Sequence, residues 1–462
     1  MTYRIRRQLA SVAAAIVLLP ACGSTVGERA DEGRPSERPS ATDVRGAPPT
    51  GRGVTQRGWD DEFVYLGVTT AKDVQAAASS IGASGLDAGD QEGQALAVAA
   101  ELNRRGGVLG RQVKVVFHDV RTIDAARNPD RVGNETCTHF TQDRPVVAVF
   151  NAVPFIDRSG FRGCLAYAQV VLLSASVAAV DSRAAADLAP YLVQLAAPTW
   201  DALAPVLVAR LAAQGWFGGW ETGAGTPGRA AVKVGVLVPS DPTSARVAAI
   251  ITRALDRAGR RDVDSFAYLK AAEMMPAVLR FAGTGVTHVI AANADLFSFQ
   301  LAAESQSYRP RYAVTSANAP QTFIETNSPK AQNVGAMGVG WAPPVDVGTA
   351  RDPGDVGAGE RECRQILRVG GQQLASRLAE AVAFALCDGF RLVVSGAVAS
   401  RGLTGRDIAR GLQLVAPAFA PGLVFRVGLR PDRLFVPGAV RDLAWDATCG
   451  CMTYADEADH PL

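Results

Sequence analysis

The feature that most restricts the fold of this chain is a strand-then-helix alternation that runs through it and restarts halfway. Phe63 to Val68 is a short apolar run with a β-branched and aromatic bias, which predicts a strand. A loop rich in Gly, Ala and Ser, Ala77 to Gly89, follows it. Glu92 to Arg105 then sets Leu96, Ala99, Ala100 and Asn103 on one helical face, and Gly106-Gly107 provide a stop. Further strands are expected at Val113 to Phe117, Val146 to Phe150 and Val170 to Leu173, with the end of a helix at Glu135 to Thr141. Near Pro198 the pattern begins again. Helix Trp200 to Gln214 and an insertion-like loop, Glu221 to Arg229, lead to strand Val232 to Val238 and helix Thr243 to Ala258. Strands Ser265 to Leu269, Thr287 to Ala292 and Tyr312 to Thr315 alternate with helices Met274 to Phe281 and Leu296 to Ser305. Such alternation predicts α/β units with mostly parallel sheets covered on both faces.

Beyond Trp341-Ala342-Pro343-Pro344 the signal changes. A Gly-rich loop, Val347 to Gly359, precedes a long helix expected over Gln372 to Ser395 and another over Thr404 to Val415; Leu434 to Tyr454 reads as strands and turns. With 462 residues and 48% hydrophobic content the chain can bury the cores of two or three domains. Lys+Arg number 47 against 45 Asp+Glu, so the basic excess of a nucleic-acid binder is missing. Four histidines argue against a His-rich metal enzyme, and neither a metal nor a cofactor is expected.

The single apolar run placed to meet a membrane is Leu9 to Pro20, behind Arg4, Arg6 and Arg7. It is too short to span and reads as a secretory signal, which excludes a multi-span transporter. Removing those arginines leaves the chain near neutral. Leu19-Pro20-Ala21-Cys22-Gly23 resembles the lipobox of bacterial lipoproteins, which implies lipidation at Cys22 and a membrane anchor. Residues 23 to 59 are rich in Pro, Gly, Ser, Arg and Glu and read as a solvated tether. Six further cysteines suit an exported protein, and sequence neighbours suggest the bridges Cys137–Cys164, Cys363–Cys387 and Cys449–Cys451. The last needs an unusually tight turn. A metal reading of Cys449-Gly450-Cys451 lacks the other ligands.

The segment Leu96-Ala97-Val98-Ala99-Ala100-Glu101-Leu102-Asn103-Arg104-Arg105-Gly106-Gly107-Val108-Leu109-Gly110-Arg111-Gln112-Val113 resembles the A-x-x-x-x-N-x-x-G-G-[IV]-x-G-[RK]-x-[IVL] stretch of type I periplasmic solute-binding proteins, the branched-chain amino-acid-binding kind that feed ABC importers. Leu172-Leu173-Ser174-Ala175-Ser176 and Val232 to Val238 fit as well, and the resemblance covers roughly residues 60 to 455. It implies two lobes joined by three hinge crossovers near Leu195 to Thr199, Trp341 to Pro344 and Leu423 to Pro431. The N-terminal lobe would be 60–197 plus 344–426, the C-terminal lobe 198–343 plus 427–455, and 456–462 a tail.

The resemblance also implies an extracytoplasmic, monomeric, lipid-anchored protein that closes on a small polar ligand (amino acid, amide or related compound) and hands it to a membrane ABC permease. A ligand-sensing receptor of the same fold, without transport, is the alternative. Ligand groups are expected at the carboxyl ends of the strands. In the first lobe these are Asn151, Phe155, Ser174, Ser176 and the backbone near Val177; in the second they are Asp241, Asn293, Asp295 and Asn318, with Trp341 walling the crevice. Each has a plainer role open to it: Asn and Asp also begin helices, and Phe155 and Trp341 could simply pack. The loop after Val149 lacks the Ser/Thr usual in amino-acid binders of this kind, and loop Thr69 to Asp73 lacks the usual aromatic; both departures point toward a different ligand. No G-x-S-x-G, H-E-x-x-H or Walker A motif is present, so no enzymatic activity is expected.

Overall fold

The computed structural model describes residues 58–462 except 81, 178–179, 270–272, 294, 349–356, 416–417 and 431–432. The expected signal segment, Cys22 and nearly all of the expected tether lie outside the described residues.

Five parallel strands form the first sheet: β1 (Phe63–Lys72), β2 (Gln112–Arg121), β3 (Ala148–Asn151), β4 (Val171–Ser174) and β5 (Leu192–Gln194), in the order β2-β1-β3-β4-β5. A small hairpin, β6 (Trp220–Glu221) with β7 (Thr226–Pro227), occupies the stretch expected to be a loop insertion. The second sheet contains β8 (Val234–Pro239), β9 (Val263–Tyr268), β10 (His288–Ala291), β11 (Arg311–Thr315) and β12 (Met337–Gly340), in the order β12-β11-β10-β8-β9. The first strand of each unit therefore lies between its second and third, and the two sheets repeat one topology. Beyond β12 the second sheet is extended antiparallel by β13 (Ala439–Asp446) and β14 (Cys451–Tyr454). The short β15 (His460–Pro461) pairs with β13, so residues expected to be a tail are part of this edge.

The helix–stop–strand corner that carries the resemblance has a direct physical basis. Helix Gln91–Arg104 ends on Gly106 and Gly107, both at positive φ, where a Cβ on Gly107 would lie 2.0 Å from the Arg111 carbonyl oxygen. Asn103 then staples the corner: its Nδ2 donates to the Val113 carbonyl at 3.0 Å, and its Oδ1 accepts from the Val113 N–H at 2.6 Å.

The long helix is Arg377–Ser400, starting later and ending later than the sequence reading, because Ser376 caps it by accepting from the Ala379 N–H. A helix at Ala358–Val369 precedes it and was hidden by the Gly-rich approach. Arg377–Ser400 is long and apolar enough to cross a membrane, which the sequence reading reserved for the N-terminus. Most of it is buried, however, in the core that also holds Phe150, Leu173 and Leu195. Segments Val74–Ser80 and Thr122–Arg127, read as loop or left unassigned, are short helices, and β1 runs on through Lys72.

The three expected disulfides are formed: Cys137–Cys164, Cys363–Cys387 and Cys449–Cys451. The first two close loops of 27 and 24 residues. Loops of that size are restricted in the unfolded chain by roughly 3–4 kcal/mol each.

Candidate functional site

Where an open α/β sheet reverses its strand order, a crevice opens at the carboxyl ends of the flanking strands. In the first sheet the flanking pair is β1 and β3, in the second β8 and β10. The segments that leave those ends meet across the molecule. Ala78, Ala83 and Leu86, which follow β1, pack with Phe297, Leu301 and Phe323, which follow β10 and β11. Asn327 donates to the Gly82 carbonyl at 2.6 Å. Asp181, beyond β4, accepts from both Nε and Nη2 of Arg246, beyond β8. The carboxyl-end loops of both sheets thus meet one another.

Behind these loops, segments expected to be crossovers are tied together. Trp341, fully buried, donates its indole N–H to the Ala196 carbonyl at 2.7 Å, joining the second crossover to the first. Gln194, the last residue of β5, exchanges backbone hydrogen bonds with Leu434 and Val436, 2.9 and 2.7 Å, beyond the segment expected to be the third crossover. Asp346 sits at the end of this hinge. Its Oδ2 accepts from Ser316 Oγ (2.9 Å), the Ala342 N–H (2.9 Å) and Tyr454 Oη (2.7 Å), while its buried Oδ1 has no hydrogen-bond partner. Burial pushes its carboxyl up to about 7.

Two of the first-lobe candidates, Asn151 and Ser174, lie in one row across the sheet, in register from Thr69 to Gln194. All four are buried. Asn151 turns back on its own loop: Oδ1 accepts from Thr69 Oγ1 (2.8 Å) and the Val153 N–H (3.2 Å), and Nδ2 donates to the Val153 carbonyl. Ser174 donates to Asp157 at 2.5 Å, and Asp157 is ion-paired with buried Arg162. Sequence reading missed that Asp157–Arg162 pair, whose signal was only a charged pair at helical entry spacing beside an apolar run. Ser176 is buried, Val177 packs against the core, and Phe155 stands 38% exposed on the turn Pro154–Ile156, outside the row.

The second-lobe candidates divide. Asp241 caps helix Pro242–Arg257 by accepting from the Thr243 and Ser244 N–H groups at 2.9 and 3.0 Å. Asn318 is a staple: it accepts from the Thr315 N–H and donates to the Ala291 and Asn293 carbonyls, locking the ends of β10 and β11. Asn293 and Asp295 come together with Tyr268, which sequence reading did not single out. Tyr268 Oη donates to Asn293 Oδ1 (2.9 Å) and to Asp295, and Asn293 Nδ2 donates to Asp295 Oδ2 at 3.1 Å. Burial raises the Asp295 carboxyl, opposed by these hydrogen bonds, and no lysine or arginine pairs with it among the described residues. Two residues on, Phe297 touches the other lobe.

No family profile and no curated protein matches the sequence. Solved structures do match. A substrate-binding protein of an ABC transporter from Desulfitobacterium hafniense, in complex with Leu, superposes with a TM-score of 0.56 at 18% identity, covering 85% of this chain and 100% of that one. A type 1 periplasmic binding protein from Bordetella pertussis gives 0.58 at 11% identity, covering 87% and 100%. A solute-binding protein from R. palustris in complex with 4-hydroxybenzoate gives 0.58 at 13% identity, covering 87% and 97%. At these identities the likeness speaks for the fold, and the chain has the two-lobed α/β fold of the type I periplasmic binding proteins.

Proposed function

We propose that the protein is an extracytoplasmic, lipid-anchored substrate-binding protein that closes its two lobes on a small ligand and presents it to an ABC importer. The observation that carries this reading is the meeting of the carboxyl-end loops of two sheets that repeat one strand order, behind which Trp341 is hydrogen-bonded to Ala196. Hinge closure of this kind binds a ligand between lobes and offers the closed form as the recognised state. The lobe boundaries and the anchor at Cys22 belong to the same proposal.

For the ligand, the second lobe supports a cationic nitrogen, as in an amino acid or amine. Burial opposes the charge of the Asp295 carboxyl, and no cation among the described residues pairs with it, so an incoming ammonium would supply such a partner. The first lobe would contribute shape and backbone groups, since Asn151 and Ser174 are already hydrogen-bonded within the protein.

The test is a thermal-shift screen of the chain from about residue 58 against amino acids, amides, amines, aromatic acids and sugars. A ligand that binds only the folded state raises the melting temperature by mass action. A saturable rise confined to compounds with a cationic nitrogen is expected; saturable rises confined to anionic or neutral compounds would overturn the ligand assignment, and none at all would overturn the binding role.

A further inference from the structure

The third disulfide differs from the other two in loop length and in the exposure of one of its cysteines. Its cysteines lie 2 positions apart in sequence, against 27 and 24 for the others. Closing so short a loop hardly restricts the unfolded chain, so it contributes least to stability. Cys137, Cys363 and Cys387 are completely buried, whereas Cys449 is exposed and only Cys451 is covered. The bond sits in the turn between β13 and β14, where Thr448 and Gly450 N–H groups donate to Asp446 and Gly450 adopts a positive φ of 63°. A cavity of about 390 Å³ opens beside it, with Cys449, Trp445, Val334 and Lys330 among its walls.

We propose that Cys449–Cys451 is a thiol–disulfide exchange site that oxidises a dithiol polypeptide segment. A substrate thiolate attacks the exposed Cys449 Sγ; the Cys449–Cys451 bond breaks, a mixed disulfide forms, and Cys451 Sγ leaves as the thiolate. The second substrate thiolate then attacks the substrate sulfur of that mixed disulfide and expels Cys449. The substrate gains a disulfide and loses two electrons, Cys449 and Cys451 gain them, and the two thiol protons pass from substrate to protein. Exposed disulfides closed over short loops are the labile ones, and a nearby cation favours a thiolate leaving group. Lys330 also lines this cavity, and Trp445 with Val334 gives it an apolar wall. The proposal is independent of the ligand-binding function.

The experiment is a redox titration of the protein in glutathione buffers, with acid quench, maleimide labelling and peptide mass mapping. It is followed by mixing the oxidised protein with an unstructured peptide carrying a reduced Cys-x-x-Cys. Cys449 and Cys451 should take label at a thiol level at least about tenfold below that needed for the other four cysteines. The peptide should gain one disulfide per protein, and the C449S/C451S double variant should oxidise none. Simultaneous labelling of all six cysteines, or peptide that stays reduced, or equal oxidation by the double variant, would overturn the proposal. Because wild-type labelling identifies the reacting cysteines directly, the result stands even if the variant folds poorly.

Discussion

The two sheets share a strand order but end in opposite chemistry. At the carboxyl ends of the first sheet, every polar group that sequence reading would offer to a ligand is already spoken for. Asn151 is closed on its own turn, and Ser174 rests on an Asp157–Arg162 pair that is itself neutralised. At the corresponding end of the second sheet, Asp295 is hydrogen-bonded by Tyr268 and Asn293 but has no cation among the described residues. One lobe is a finished floor, whereas in the other Asp295 has no cation partner among the described residues. Residue type at a strand end is therefore a weak guide to ligand contact; what separates the two ends is whether the charge and hydrogen bonds close within the protein.

The largest effect should come from breaking the finished floor. Arg162→Ala leaves Asp157 buried and unpaired beneath Ser174, and loss of one partner of a buried pair costs about 3–5 kcal/mol. Urea unfolding should show a lower midpoint of that size; a change under about 1 kcal/mol would mean that the pair is not what holds the row.

A smaller effect sharpens the contrast between satisfied and unsatisfied carboxyls. Asp346, at the hinge, titrates near 7 when folded and near 3.8 in the unfolded reference. Between those values the folded state holds the extra proton, so this group's contribution to stability falls as pH rises from about 4 to about 7. Asp346→Asn keeps an oxygen for Ser316, Ala342 and Tyr454 while removing the charge. Melting measured across that range should show a flatter pH slope in the variant and about 1–3 kcal/mol more stability at pH 7 than the parent. An unchanged slope would place the titration elsewhere.

The smallest effect belongs to the contact between lobes. Asp181→Ala removes the partner of Arg246, a partly exposed pair worth about 1 kcal/mol or less. Small-angle scattering of the ligand-free variant should show a larger radius of gyration with little change in melting temperature. Equal radii would assign closure to the apolar contact of Ala78 and Ala83 with Phe297 alone.

Much of the fold was legible because it is periodic. Apolar runs of strand length and the Asn103-to-Val113 corner are local signals, and local signals survive in a sequence. The Ala358–Val369 helix was not legible, because its Gly-rich approach reads as loop and its burial against the N-terminal unit comes from residues far away in the chain. Polar residues at strand ends were legible as positions but not as roles. Asp241 and Asn318 cap and staple through partners within a few residues or on a neighbouring strand. The Tyr268–Asn293–Asp295 group depends on strands β9 and β10 ending at one level, which only the folded register supplies.

The central claim is that the crevice closes on a ligand whose cationic nitrogen completes Asp295. The most direct measurement is titration calorimetry, at pH 7, of the wild type and of Asp295→Asn with the compound giving the largest thermal shift. The account predicts one site per chain and a loss of affinity of about tenfold or more in the variant, with the melting temperature of the free variant equal to or above that of the parent. Equal affinity in both proteins would contradict it.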